Sequence, residues 1–181
     1  MSDLTSSPVP ALGPQDHARG DAHAPLVIVY ADFTCPRCAL ADERLRGVAV
    51  RVAFRHFALR TKHPRAVALA QASEAAALQG SFWPMHDSLY ADPGRLEDPH
   101  LWARVAELGI DLERFESDRR SQAVADRVAD DVRGGLRAGV AVTPTLFADG
   151  RCHPGAPSTD LLARVAAAAV QVGWRGSEYE K

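Results

Sequence analysis

The sequence predicts an α/β domain built on a small sheet and interrupted by an all-helical insertion. Three observations carry that expectation. Residues 26–57 read as strand, helix, strand; residues 63–139 read as helices only; residues 145–153 return to a strand and a tight turn. Strand, helix and strand within about thirty residues make a βαβ unit, which implies parallel pairing. Five helical pieces in a row cannot all be crossovers of one small sheet, so they are read as inserted between its two halves.

Each element has a local reason. Residues 1–22 hold Pro8, Pro10, Gly13, Pro14 and Gly20 with little apolar periodicity, and read as a mobile N-terminal arm. Leu26-Val27-Ile28-Val29-Tyr30 follows Pro25 as an unbroken apolar, largely β-branched run, the pattern of a central strand buried on both faces. Thr34 is the expected N-cap of the next helix, Pro36 suits its first turn, and Ala39 to Arg46 are good helix formers. Val50 to Phe57 alternates apolar and polar, a second strand.

Within the insertion, Pro64–Gln79 is an alanine-rich helix stopped at Gly80, and Ser81–Tyr90 is a short helix with an aromatic face. Pro99–Leu108 stops at Gly109, Asp111 caps the segment after it, and Ala123–Leu136 forms another helix. Phe82, Trp83, Trp102 and Phe115 recur at helical spacings and are expected to fill the core of this insertion. Thr145–Ala148 is a strand, Asp149-Gly150 a hairpin turn, and Arg151-Cys152-His153 the start of its partner. Ser158 or Thr159 then caps a final helix over Asp160–Val172. The organisation expected is an arm over 1–22, a discontinuous sheet domain over 23–61 and 139–175, and the insertion over 62–138. No internal repeats occur.

The composition narrows the function. The 181 residues are 46% hydrophobic and 24% charged with a net charge of −2, so neither a polyanion-binding surface nor a nucleic-acid partner is expected. Leu26–Ala31 is too short to span a bilayer, and residues 1–25 hold no apolar signal-peptide core. The expectation is a cytoplasmic protein with no membrane partner. Three cysteines, Cys35, Cys38 and Cys152, are a poor number for a disulfide framework. In a reducing compartment a close pair points to catalysis or metal binding.

Cys35-Pro36-Arg37-Cys38 sits at a strand-to-helix junction, and that place has a chemical logic. At a helix N-terminus several backbone N–H groups lack partners and the macrodipole is positive, which favours thiolate over thiol. Cys38, one turn further in, lies within reach to close a disulfide. Cys35 is therefore the candidate nucleophile and Cys38 the resolving thiol. Arg37 adds positive charge that favours the reduced pair, and Pro36 stiffens the turn. Two other readings stay open: a zinc module and a peptide-binding protein with vestigial cysteines. Zinc needs two more ligands, and the only nearby types, Cys152 and His153, are strand neighbours pointing to opposite faces. Among the seven histidines, His56 and His86 read as packing or hydrogen-bonding residues, and Cys152 reads as a small hydrophobe.

The residues also match a family pattern. Gly20-Asp21-Ala22-His23-Ala24-Pro25 with the strand after it, and Ala31-Asp32-Phe33-Thr34-Cys35-Pro36-Arg37-Cys38, resemble the DsbA-like thioredoxin proteins. So do Phe54-Arg55-His56-Phe57, His63-Pro64-Arg65-Ala66, Phe82-Trp83-Pro84-Met85-His86-Asp87 and Val142-Thr143-Pro144-Thr145-Leu146-Phe147, in order, over about residues 10–172. The resemblance implies a thioredoxin fold with a helical insertion and an activity of thiol–disulfide exchange. It implies substrates that are protein or peptide dithiols and disulfides, and a redox partner such as glutathione or another thiol–disulfide protein, with no bound cofactor. It further implies that Pro144 is a cis-proline opposite Cys35 and that Thr143 faces the Cys35 sulfur. One departure stands out. Such relatives often carry a glutamate six residues before the first cysteine, to relay the resolving thiol's proton; here that residue is Val29.

Overall fold

The structure is a computed structural model and describes residues 8–174. Five strands form one mixed sheet in the order β1-β3-β2-β4-β5: β1 His17–Arg19, β2 Leu26–Ala31, β3 Arg51–His56, β4 Thr145–Ala148 and β5 Arg151–Pro154. β2 pairs parallel with β3, Leu26 opposite Arg51, and antiparallel with β4, Ile28 opposite Phe147. The β2–β3 crossover is α1, Pro36–Arg46. Between β3 and β4 lie α2 Ala66–Ala77, α3 Phe82–Ala91, α4 Asp98–Glu107, α5 Leu112–Asp118 and α6 Gln122–Arg137. The last described element is α7, Thr159–Trp174, whose first turn donates the Leu161 N–H to Ser158 Oγ.

Burial follows the two-residue period of β2. Val27, Val29 and Ala31 face a core shared with Phe33, Cys38, Leu69, Met85, Phe115 and Val165. Ile28 and Tyr30 face the other way, against Ala53, Phe57, Val140 and Phe147. The apolar run is thus a central strand covered on both sides. Gly80 and Gly109 end their helices with positive φ of 75° and 66°, as C-terminal glycines do. Phe82 and Phe115 are buried, and Trp83 packs beside them. Trp102 corrects the expectation for that set: it is 42% exposed, its indole N–H donating to Glu116 Oε1 at 3.0 Å.

The segment read as part of an arm is an edge strand. β1 pairs antiparallel with β3, His17 opposite Phe54. Its hold is polar, which is why no apolar pattern announced it. Asp16 receives Nε and Nη2 of the buried Arg55, each at 2.6 Å. Arg19 donates to Asp42 on α1 and Asp87 on α3, each at 2.8 Å, with its guanidinium 4.2 Å from the centre of the Trp83 ring. Glu74 on α2 accepts from Nε2 of both His17 and His56 at 2.8 Å. Burial opposes the Glu74 charge, but the two imidazoles outweigh it and hold the carboxyl well below the usual range.

Gly20, just past β1, has φ of +103°, and a Cβ there would stand 2.4 Å from the Val50 carbonyl oxygen. Both backbone strain and a clash with main chain follow from any side chain. Gly20→Ala is expected to destabilise the protein by about 3 kcal/mol, read as a lowered urea midpoint with unchanged m-value.

Candidate active site

β2 delivers the chain to the site, and a tight turn sets the cysteines. Asp32 follows the strand; its carbonyl accepts the Cys35 N–H at 3.1 Å. Its carboxylate Oδ1 accepts both the backbone N–H and the hydroxyl of Thr34 at 2.8 Å. Thr34, the residue expected to cap α1, is therefore occupied in the turn. The N-cap is Cys35 itself, in extended conformation (φ −95°, ψ 114°), and Pro36 opens the helix. The Cys35 carbonyl accepts the Cys38 N–H at 2.9 Å, beginning the first turn.

The two thiols, both free, have opposite surroundings. Cys35 is partly exposed, and Cys38 is 2% exposed within the core. The Cys35 thiol is lowered to about 5, chiefly by a hydrogen bond from Cys38, against burial that works the other way. The Thr143 side chain and the backbone N–H groups of Cys38 and Arg37 add to the lowering. This is the helix N-terminus acting on a thiolate. Cys38 is pushed up strongly, first by burial and then by its bond to Cys35. The pair is one accessible thiolate over one buried thiol.

The facing wall comes from the loop before β4. The Thr143–Pro144 peptide bond is cis, and the Thr143 carbonyl oxygen lies 3.5 Å from Cys35 Sγ. The loop is anchored: Thr145 Oγ donates to the Val142 carbonyl and the Gly155 N–H to the Pro144 carbonyl, each at 2.7 Å. A cleft of about 350 Å3 opens between this loop, the α1 N-terminus and the β3–α2 loop; Asp32, Cys35, Arg37, Lys62, His63 and Thr143 line it.

Beneath the site is aromatic packing. The Phe33 ring lies 5.1 Å from Tyr90 and 5.3 Å from Phe54, centre to centre. Tyr90 donates its hydroxyl to the Asp32 carbonyl at 3.4 Å, and burial pushes its phenol far up. Nothing in the sequence marked Tyr90 as a neighbour of both thiols. Val29 is buried in the same core as Cys38, so that residue offers no carboxylate to the Cys38 thiol. His86 is buried and bonded through Nδ1 to Asp87, and burial keeps its imidazole low against that carboxylate. His56 is held by Glu74, so both histidines serve packing and hydrogen bonding.

Among the described residues, two groups of metal-ligand type converge: Asp42 with His86 and Asp87, and His56 with Glu74 and Asp131. Neither contains a cysteine or His153. Cys152 packs with the Ile28, Tyr30 and Phe147 side of the sheet, opposite to Cys38, and burial raises its thiol.

Comparison with known proteins agrees with the fold. Solved structures similar to this chain include a thioredoxin-like oxidoreductase from Silicibacter pomeroyi. Its TM-score is 0.77 at 21% identity, covering 88% of this chain and 94% of that one. The α-DsbA1 protein of Wolbachia pipientis gives 0.74 at 18% identity, covering 91% of this chain and 96% of that one. Curated relatives include the Na+/H+ antiporter NhaA 1 of Salinispora arenicola, 39% identical over 160 residues, which are 85% of this chain and 24% of that protein. The antiporter NhaA of Herminiimonas arsenicoxydans is 39% identical over 99% of this chain and 29% of its own length. This chain spans about a quarter of the length of the curated relatives it matches. Among the described residues no helix is long and apolar enough to cross a membrane. Residues 26–167 match the model of the DSBA-like thioredoxin domain, spanning β2 to β5, the cysteine pair and all six intervening helices, and the chain belongs to that family.

Proposed function

We propose that this chain is a protein thiol–disulfide oxidoreductase in which Cys35 attacks and Cys38 resolves. The observation that carries the reading is the asymmetry of the pair: a partly exposed thiolate at a helix N-cap, and a buried thiol one turn below that hydrogen-bonds to it. Cys35 thiolate attacks one sulfur of a substrate disulfide, forming a mixed disulfide and expelling a substrate thiolate. Cys38 gives up its proton to water or to that thiolate and attacks the Cys35 sulfur, expelling the second substrate thiolate. The substrate gains two electrons from the pair and two protons, one from Cys38 and one from water, and the protein becomes the disulfide. The reverse sequence oxidises a dithiol.

Val142, 50% exposed, lines the cleft and supplies apolar contact for a substrate chain. The ion exchange named for the antiporters is not assigned here; the quarter of their length that aligns is read as a domain of this same fold. In a cytoplasmic setting the glutathione pool would keep the pair largely reduced, favouring disulfide reduction or isomerisation.

Paired variants test the mechanism. Cys35→Ser is expected to lower insulin reduction about 1,000-fold or more. Cys38→Ser keeps the attacking thiolate and accumulates a mixed disulfide, seen as an adduct by non-reducing mass spectrometry. Exchange that survives in Cys35→Ser would refute the reading.

A further inference from the structure

Among the described residues, eleven of the nineteen arginine and lysine side chains are committed to carboxylates. Arg19, Arg55, Arg65, Arg119 and Arg127 all lie in ion pairs with aspartate or glutamate. The cleft at Cys35 differs. Arg37 enters it from the first turn of α1, and Lys62 and His63 enter from the opposite side, on the β3–α2 loop. All three are exposed, and neither Arg37 nor Lys62 has an ion-pair partner among the described residues. His63 Nδ1 accepts the Arg65 backbone N–H at 3.1 Å, which puts the neutral ring's proton on Nε2 as a donor. The carboxylate lining the cleft is Asp32; it is 5% exposed and its Oδ1 is committed to Thr34. At the mouth of the cleft the exposed charges are the Arg37 and Lys62 cations, which face the Cys35 thiolate from two sides, while the Asp32 carboxylate is withdrawn from solvent.

Cations on two walls of a concave site concentrate field and raise the encounter rate of oppositely charged reactants by roughly 10- to 1,000-fold. Such steering selects among disulfides of equal intrinsic reactivity, and it fades with salt as the screening length shrinks from about 30 Å at 0.01 M to about 8 Å at 0.15 M. Resting on the exchange reaction proposed above, we infer that Arg37, Lys62 and His63 form an anion-selecting entrance, making disulfides flanked by carboxylates the preferred substrates. The chemistry is as already balanced: the anionic groups stay on the substrate, hold it between the two cationic walls, and leave with the two thiols released. Small carboxylate-bearing disulfides such as oxidised glutathione and acidic protein segments share the chemistry, and a cleft of about 350 Å3 is of small-ligand size.

The test uses the reduced protein and three small disulfides: dithiodiglycolate (anionic), 2-hydroxyethyl disulfide (neutral) and cystamine (cationic). Each rate is divided by that of 2-mercaptoethanol with the same disulfide, which removes intrinsic reactivity and the effect of a thiolate charge. At low salt the normalised rate for dithiodiglycolate should exceed that for cystamine by about tenfold. The two should converge at high salt. Lys62→Glu and Arg37→Glu should each reduce or reverse the ratio, whereas Arg151→Glu, the same charge change on β5, should not. A ratio at or below one, a ratio indifferent to salt, or an equal effect of Arg151→Glu would overturn the inference while leaving the exchange reaction intact. Failure to exchange with all three disulfides would overturn the exchange reaction itself, and this inference with it. Oxidised glutathione against a glutamate-flanked peptide disulfide then separates the two sources: faster normalised exchange with the former assigns a small thiol, with the latter an acidic protein segment.

Discussion

Iodoacetamide is expected to label Cys35 of the reduced protein with a pH midpoint at about 5, against the ordinary value of 9.0. At pH 7 Cys35 is then almost wholly thiolate, whereas an ordinary cysteine is only a few per cent ionised. Cys38, raised by burial, should resist the reagent until the protein is unfolded. Because the Cys38 thiol is the largest contributor to the lowering, Cys38→Ala should move the Cys35 midpoint upward. A midpoint near 9 in the native protein would sink this account of the site. The redox consequence has a definite sign. A stabilised thiolate favours the reduced pair, so the disulfide is more oxidising; a thiol of this acidity lies between thioredoxin and the strongest oxidants, implying a potential of about −200 mV. A glutathione titration resolved by alkylation and mass reads it. The same thiolate links folding to pH. Its folded value lies below its unfolded one, so its contribution to the reduced protein is complete above about pH 9 and lost as pH falls to about 5. The disulfide form should show no such contribution from Cys35.

Asp16→Ala is expected to cost about 3–5 kcal/mol, the scale for removing one partner of a buried ion pair. Arg55 is 8% exposed and donates both Nε–H and Nη2–H to that one carboxylate, with the Tyr30 hydroxyl and Ala11 carbonyl as further acceptors. A fall of roughly 10 °C in Tm follows for a chain of this size. Asp16→Ala with Arg55→Met should recover part of the loss, because the stranded charge is gone. Burial opposes the Asp16 charge, yet Arg55 holds its carboxyl below the ordinary 3.8. Its contribution is therefore present above about pH 4 and lost only as pH falls below it. A loss under about 1 kcal/mol would mean that residues 8–19 do not hold the sheet.

That variant also tests the point where sequence reading stopped short. β2 was legible because five consecutive apolar residues need cover on both faces, and β3 because it alternates. Gly80, Gly109 and Asp111 marked helix ends by chemistry that is local to each. β1 carries no such signal. Asp16, His17 and Arg19 find their partners 23 to 68 residues away, and local patterns do not record such pairings. Thr34 misled for a related reason: its hydroxyl suits an N-cap, but Asp32 two residues earlier claims it. Trp102 has the spacing of a core residue and the orientation of a surface one. At the site, Cys35 and Cys38 announced themselves by motif and context. Lys62 and Tyr90 did not, since only the folded chain brings them to the thiols.

The strand order has a consequence for how the site comes into being. β2 is the second strand in sequence yet its neighbour β4 arrives more than a hundred residues later, after all five inserted helices. The Cys35–Thr143 contact spans 108 residues and closes in the same event as that pairing. A contact of such range carries a large loop-closure entropy and forms late. Until then Cys35 has only its own turn around it, and half the cleft does not exist. Cys38 and the turn act on the thiolate locally, whereas the Thr143 share of the lowering waits on the completed topology, so during refolding the alkylation midpoint should take its last downward step with the last structural phase.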